Sequence, residues 1–470
     1  MFAKFNLDSI YSNKSDIIRV EKYIEEFQKK FETKHYTILR TPGRVNLIGE
    51  HIDYSNLPVF PAGIEKDIYI IFTPSDNNLI TITSFGDKFP KETFQITRNL
   101  QPFSQGHWGN YVKAGIQTIL DYFDSTGKGF QALIAGNIPA GSGLSSSSAL
   151  VVASAGAYLT ANKLDIDKLI LAEKLAEGEK YVGTAGGGMD QTASIFAKKN
   201  HAIKIDFAPL NITPVPFPDQ YDIIISHSLT VAEKSKGAKD AFNLRSMETK
   251  IATALLSQYF QTNYGADYSI QFIGDLKEDK FSEIRNNITP IIEKLFSDKK
   301  NLTIDEIQKQ LNLDTQEKIN LFFTLKNGSL FPYKEFSFKL EKRIKHIITE
   351  WERVENSVKA LKEGDIKKFG QLMNESHESC KNNYEVSCNE LDTLVDIERK
   401  NGAIGARLTG AGFGGSTVCI VFKEKTENFI NNVINEYYRG YLKKTTNEIT
   451  NFSEFIFKTK ATQGTCLIDI

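Results

Sequence analysis

The chain has 470 residues, 41% of them apolar, and a formal net charge of −1 from 57 basic and 58 acidic side chains. That length exceeds what one hydrophobic core usually holds, so two domains are expected. A charge near zero gives no overall field for nucleic acid or a membrane surface.

No apolar run reaches the roughly 18 residues of a membrane span, and the first residues lack the apolar stretch of a signal peptide. The cysteines, Cys380, Cys388, Cys419 and Cys466, show no C-x-x-C spacing, which fits free thiols in a reducing cytoplasm.

Residues 16–34 read as an amphipathic helix, with Ile17, Val20, Tyr23, Ile24 and Phe27 among charges. Tyr36 to Arg40 reads as a strand, and Pro42-Gly43 as a turn after it. Arg44, Glu50, His51 and Asp53 follow within eleven residues, a cluster suited to lining a polar pocket for a hydroxylated ligand. A solvated turn is the alternative. Short strands are expected at 68–72, 79–83 and 93–97. Trp108 opens a helical stretch, and its pairing with Tyr111 fits either a nucleotide base or simple core packing.

The most informative stretch runs from Gly136 to Ala149, between an apolar strand at 130–135 and a helix at 150–159. Glycines and small serines between strand and helix let backbone N–H groups approach an anion, and the helix N-terminus adds positive character. This is a phosphate cradle without the Gly-Lys-Ser/Thr of a Walker loop. The next helical run, 166–182, places Glu179 on one face with Leu169, Ala172 and Ala176. An inward carboxylate needs a partner, either a metal ion or a salt bridge. Gly186-Gly187-Gly188 then precedes Asp190, and strands are expected at 201–207 and 222–227. Pro209, Pro214, Pro216 and Pro218 between them suggest a domain boundary.

The second half is more helical, with runs at 238–258, 337–361, 365–382 and 388–400 and a polar, peripheral insertion at about 261–335. Strands at 403–409 and 417–422 enclose a second glycine-rich turn, Gly410 to Ser416. A helix at 425–439 and strands at 454–458 and 465–469 complete a pattern that suggests a ferredoxin-like split β-α-β sandwich. The expected domains are 1–215 and 216–470.

Four motifs stand in order: Pro42 to Tyr54, Gly141 to Ala149, Gly187 to Gln191 and Leu408 to Gly415. Together they resemble the GHMP sugar and isoprenoid kinases, and the first and third resemble the galactokinase branch. The resemblance runs from about residue 36 to the end of the chain. It implies an α+β, two-domain GHMP kinase fold: a mixed β/α N-terminal domain and a ferredoxin-like C-terminal domain carrying the insertion.

It also implies a Mg²⁺-dependent enzyme that transfers the γ-phosphate of ATP to the anomeric hydroxyl of galactose. Asp190 matches the catalytic aspartate, and Arg44 the arginine beside it, which would orient that carboxylate and stabilise charge during attack. Arg44, Glu50, His51, Asp53, Gly187, Asp190 and Phe242 match sugar-binding positions. Gly141, Ser142, Gly143, Leu144, Ser145, Ser146 and Ser147 match the nucleotide loop. Trp108 and Ser228 are placed near the nucleotide, and Ser147 and Glu179 at Mg²⁺.

Some galactokinase-like proteins are transcriptional sensors with a shortened serine loop; the unbroken Ser145–Ala149 run here favours an enzyme. Phe242 stands where many galactokinases have tyrosine, as in the N-acetylgalactosamine kinases, so that sugar remains the alternative to galactose. A cytoplasmic monomer acting on small molecules is expected.

Overall fold

The structure is a computed structural model describing the chain except residues 1, 12, 184–186, 231–235, 297–300, 325–329, 332–335, 445–448, 450 and 470, and the side chains of 236–240. Gly186 of the expected glycine turn thus lies outside the described residues.

The strands in chain order are β1 (Lys4–Asn6), β2 (Thr37–Ile48), β3 (Phe60–Pro74), β4 (Leu79–Ser84), β5 (Glu92–Gln95), β6 (Phe130–Gly136), β7 (His201–Asp206), β8 (Asn211–Pro216), β9 (Tyr221–His227), β10 (Gly405–Thr409), β11 (Ser416–Phe422), β12 (Ile456–Thr459) and β13 (Cys466–Asp469). The main helices are α1 (Lys14–Phe31), α2 (Gly109–Phe123), α3 (Ser146–Ala161), α4 (Lys168–Gly178), α5 (Met189–Phe196), α6 (Lys236–Tyr264), α7 (Leu340–Lys362), α8 (Ile366–Ser379), α9 (Asn389–Lys400) and α10 (Thr426–Val433).

A mixed sheet runs in the order β1-β13-β2-β3-β6-β4-β5. α1 covers one face: Val20, Tyr23, Ile24 and Phe27 are buried with Ile38, Tyr69, Ile71 and Leu133. α2 and α3 share the core of the opposite face with Leu39, Ile70, Phe72 and Ala132, as the strand alternation requires. A second, antiparallel sheet runs β10-β11-β9-β12. With α10 between β11 and β12 and a long helical excursion between β9 and β10, this is the order of a ferredoxin-like split β-α-β unit.

Three expectations about strands change. Pro42-Gly43 is no turn: β2 continues to Ile48, paired with β3, with register shifts between Pro42 and Arg44 and between Asn46 and Ile48. Pairing with β13 stops at Arg40, so the missing Pro42 N–H costs no ladder bond on that edge. The strand expected at 465–469 forms as β13 but joins the N-terminal sheet between β1 and β2, away from the ferredoxin-like unit. The proline-rich stretch contains a strand as well, because β8 pairs with β7 along its whole length.

The insertion is less peripheral than its polarity suggests: Ile270, Ile273, Leu276, Phe281 and Ile284 share a core with Val45, Leu47 and Ile48. Among the described residues no helix is long and apolar enough to cross a membrane.

Candidate active site

The motifs that are far apart in sequence meet in space. Val45, Leu47 and Ile48 are fully buried and hold the end of β2 in the core, which fixes Arg44 and the segment from Gly49 to Asp53 at either end of that stretch. A Cβ on Gly43 would sit 2.9 Å from the Leu144 carbonyl oxygen, so glycine lets the first motif lie directly on the loop before α3. The second glycine turn backs the same loop: a Cβ on Gly410 would lie 2.8 Å from the Gly143 oxygen. Asn46 N–H donates to Thr409 Oγ1 at 3.1 Å, and that hydroxyl donates to the Asn46 carbonyl at 3.0 Å.

Arg44 links the expected catalytic and phosphate-binding parts. Its Nε donates to Asp190 Oδ1 at 2.7 Å, and its Nη1 donates to the Gly143 carbonyl at 2.5 Å. The other Asp190 oxygen accepts from Ser145 Oγ at 2.5 Å. Asp190 occupies the first turn of α5, whose N-cap is Gly188 at φ 93. Its side chain keeps 29% exposure, against 5% for Arg44, so the carboxylate stays reachable while the arginine is packed away.

α3 begins at Ser146, earlier than expected, with Ser145 as a left-handed N-cap at φ 58 that makes no side-chain capping bond. Its hydroxyl is directed to Asp190 instead. Ser146 and Ser147 are half-buried in the first turn, where helical N–H groups are free to meet an anion. Ser142 Oγ donates to the Pro139 carbonyl at 2.7 Å and stiffens the loop from within. Leu144 is buried, and its carbonyl accepts from Arg44 N–H at 3.4 Å.

Asp53 Oδ2 accepts from Gly187 N–H at 3.1 Å. A Cβ on Gly187 would come within 2.5 Å of that carboxylate. Burial, then the nearby Asp190 charge, pushes Asp53 up to about 6. Burial and His346 push the His51 imidazole down to about 3, so it is neutral at physiological pH. His51 Nε2 is buried without a hydrogen-bond partner among the described residues, an atom that a ligand hydroxyl could satisfy. The His51 ring lies 5.6 Å from Phe242 and 5.0 Å from Tyr384. Phe242 also meets Tyr54 edge-on at 6.3 Å.

Glu50 is held differently from the expected sugar contact. Its two oxygens accept from Gly410 N–H and Asn46 Nδ2, both at 2.5 Å, and Arg407 lies 3.7 Å away. This carboxylate ties the first motif to the second glycine turn.

The other expected positions divide. Glu179 caps α4 at its C-terminal end and accepts from Ser148 Oγ at 2.9 Å, one residue beyond the expected Ser147. Of its supposed face, Leu169 is exposed, and the inward side is Leu171, Ala172 and Leu175. Trp108 is buried, stacks on the exposed Phe89 at 5.6 Å, and leaves its Nε1 without a hydrogen-bond partner among the described residues. Ser228 is fully buried and donates to the Gly415 carbonyl at 2.8 Å, which fixes the second glycine turn. The contacts from Ser145, Tyr384 and Arg407 carry no local signal in sequence, since each depends on long-range packing.

Residues 25–74 match the galactokinase galactose-binding signature, 110–198 the N-terminal domain of GHMP kinases and 357–440 their C-terminal domain. Galactokinase of Dictyostelium discoideum is 31% identical over 98% of this chain and 97% of its own length. The chain belongs to the galactokinase family.

Another galactokinase, from Saccharomyces cerevisiae, is 32% identical over 95% of this chain and 94% of its own. A crystal structure of Lactococcus lactis galactokinase complexed with galactose superposes with a TM-score of 0.72 at 27% identity, covering 95% of this chain and 99% of that one. Galactokinase membership carries with it the GHMP kinase fold, sugar kinase chemistry and ATP as the phosphoryl donor.

Proposed function

We propose that the chain phosphorylates galactose at its C1 hydroxyl, giving α-galactose 1-phosphate and ADP from galactose and ATP. The observation that carries the mechanism is the Asp190 carboxylate, held by Arg44 on one oxygen and Ser145 on the other at the mouth of the glycine loop. In this reading Asp190 takes the C1 hydroxyl proton as the sugar oxygen attacks the γ-phosphorus and the bond to the β-phosphate oxygen breaks. Phosphoryl transfer asks mainly for positioning and charge neutralisation. Arg44 supplies both, since one guanidinium braces the base and the loop.

Asp53, Gly187 and neutral His51 form the sugar side, with Phe242 as its apolar wall; Glu50 acts by bracing that segment. Residues 141–147 wrap the phosphates. Glu179 with Ser147 and Ser148 offers oxygen donors, a set that fits Mg²⁺. When bound, that ion offsets phosphate charge. The same reading carries a monomer in the cytoplasm. N-acetylgalactosamine, the alternative raised by Phe242, is not favoured, because the relatives matched along the whole chain are galactokinases.

ADP release with galactose and N-acetylgalactosamine tests this. Galactose is expected to give kcat/KM at least about tenfold higher, the discrimination one crowded substituent supplies. An equal or higher value for N-acetylgalactosamine reverses the assignment, and no ADP with either sugar removes it.

A further inference from the structure

One face of α7 grips the backbone that carries the sugar-side residues. His346, Glu350 and Val354 follow at intervals of four residues and so share that face. Glu350 Oε1 accepts from Gly49 N–H at 2.9 Å and from Glu50 N–H at 3.3 Å. His346 Nε2 meets the Glu50 carbonyl at 3.0 Å. Val354 packs so closely that a Cβ on Gly49, at φ +102, would lie 2.9 Å from its methyl.

Both polar side chains are fully buried, and both are themselves oriented. Ser376 Oγ donates to Glu350 Oε1 at 2.5 Å and Arg353 Nε to Oε2 at 2.8 Å. The Glu50 carbonyl can only accept, so His346 carries its proton on Nε2. Nδ1 then accepts from the Ser379 hydroxyl at 2.9 Å. The His346 ring also lies against Tyr384 at 4.5 Å, the residue that touches His51.

Burying a carboxylate in a core is costly unless it answers a specific need. Here the need is a left-handed backbone step whose two successive N–H groups would otherwise be buried without acceptors. The grip falls immediately before His51 and two residues before Ile52-Asp53, so it sets the direction in which those side chains leave the backbone.

We infer that His346 and Glu350 are positioning residues for the sugar site, locking the Gly49–Glu50 backbone so that His51 and Asp53 are aligned before a ligand arrives. This rests on the reading of the Glu50–Asp53 segment as the sugar side.

The full chain is compared with His346→Phe, Glu350→Ala and Ser376→Ala, each assayed for kinetics and for amide hydrogen exchange without ligand. His346→Phe keeps a ring on Tyr384 and removes both the donor to the Glu50 carbonyl and the acceptor for Ser379 Oγ. It is expected to raise the galactose KM about tenfold while the ATP KM stays within about twofold. Exchange over residues 45–54 is expected to quicken about tenfold, with other segments unchanged.

A purely structural role lowers the maximal rate with the folded fraction and leaves both KM values in place, and that result overturns the inference. Should Glu350→Ala fail to fold, His346→Phe and Ser376→Ala decide the matter in the same way. A wild type that does not phosphorylate galactose defeats the functional reading alone. Unchanged exchange over 45–54 in the ligand-free variants defeats the positioning role.

Discussion

The Ser145 hydroxyl donates to Asp190 Oδ2 at 2.5 Å, on the carboxylate whose other oxygen takes Arg44 at 2.7 Å. The first residue of the serine run is thus engaged by Asp190, while Ser146 and Ser147 stay half-buried at the start of α3. Asp190→Asn keeps the shape and removes the proton acceptor, and is expected to lower kcat by about 10³-fold with galactose binding retained by calorimetry. Ser145→Ala removes one orienting bond and is expected to cost kcat about tenfold with little change in the ATP KM. A Ser145→Ala variant that loses ATP affinity while keeping kcat would place this hydroxyl on the nucleotide.

Gly143 is a second pivot. It sits at φ +76, and a Cβ there would lie 3.0 Å from the Thr409 carbonyl oxygen. Its own carbonyl accepts from Arg44. Gly143→Ala is expected to cost about 1–2 kcal/mol of stability through left-handed strain. The ATP KM should rise more than the galactose KM, because the loop shifts as a unit. Denaturant unfolding and initial-rate kinetics measure the two effects separately.

What could be read from sequence follows the range of the interactions. The association of Asp190, Arg44 and the glycine loop is legible because the short motifs that carry them resemble, in order, those of the GHMP kinases. The helices α7, α8 and α9 were legible because their apolar spacing is local. Pro42-Gly43 has the local propensity of a turn, which yields to pairing with β3, and nothing within a few residues reports that pairing. The place of β13 between β1 and β2 is a contact across almost the whole chain. The use of Glu50 on Gly410, and of Ser148 on Glu179, likewise depends on how separate elements pack.

Asp53 is expected to give the site a pH response. Burial, Asp190 and Glu50 raise it from 3.8 to about 6, against N–H donation from Tyr54 and Gly187. Its ionised form, the one that accepts both N–H groups, therefore gives way as pH falls through about 6. The galactose KM of the wild type is expected to rise below that pH, with the ATP KM less affected. Asp53→Asn should bind galactose more weakly at pH 7.5 and lose this inflection. A wild-type KM that stays flat from pH 5 to 8 would show that this carboxylate does not govern sugar binding.

Glu398 provides a test remote from the sugar side. It lies at 0% exposure under the second sheet, where Ser226 Oγ and Thr417 Oγ1 donate to its Oε1 at 2.7 and 2.8 Å. Burial outweighs those bonds and raises it from 4.5 to about 7. The folded protein thus holds a proton between these values that the unfolded chain has released. The stability from this group is fully present below pH 4.5, falls as pH rises to about 7 and stays low above it. The interval corresponds to roughly 3 kcal/mol. In Glu398→Gln the amide carbonyl can still accept from both hydroxyls, and no charge forms at high pH. Urea unfolding should show the variant gaining on the wild type as pH rises from 4.5 to 7, with a constant difference beyond. A difference that does not change with pH would mean that Glu398 keeps the same charge in the folded and unfolded chain.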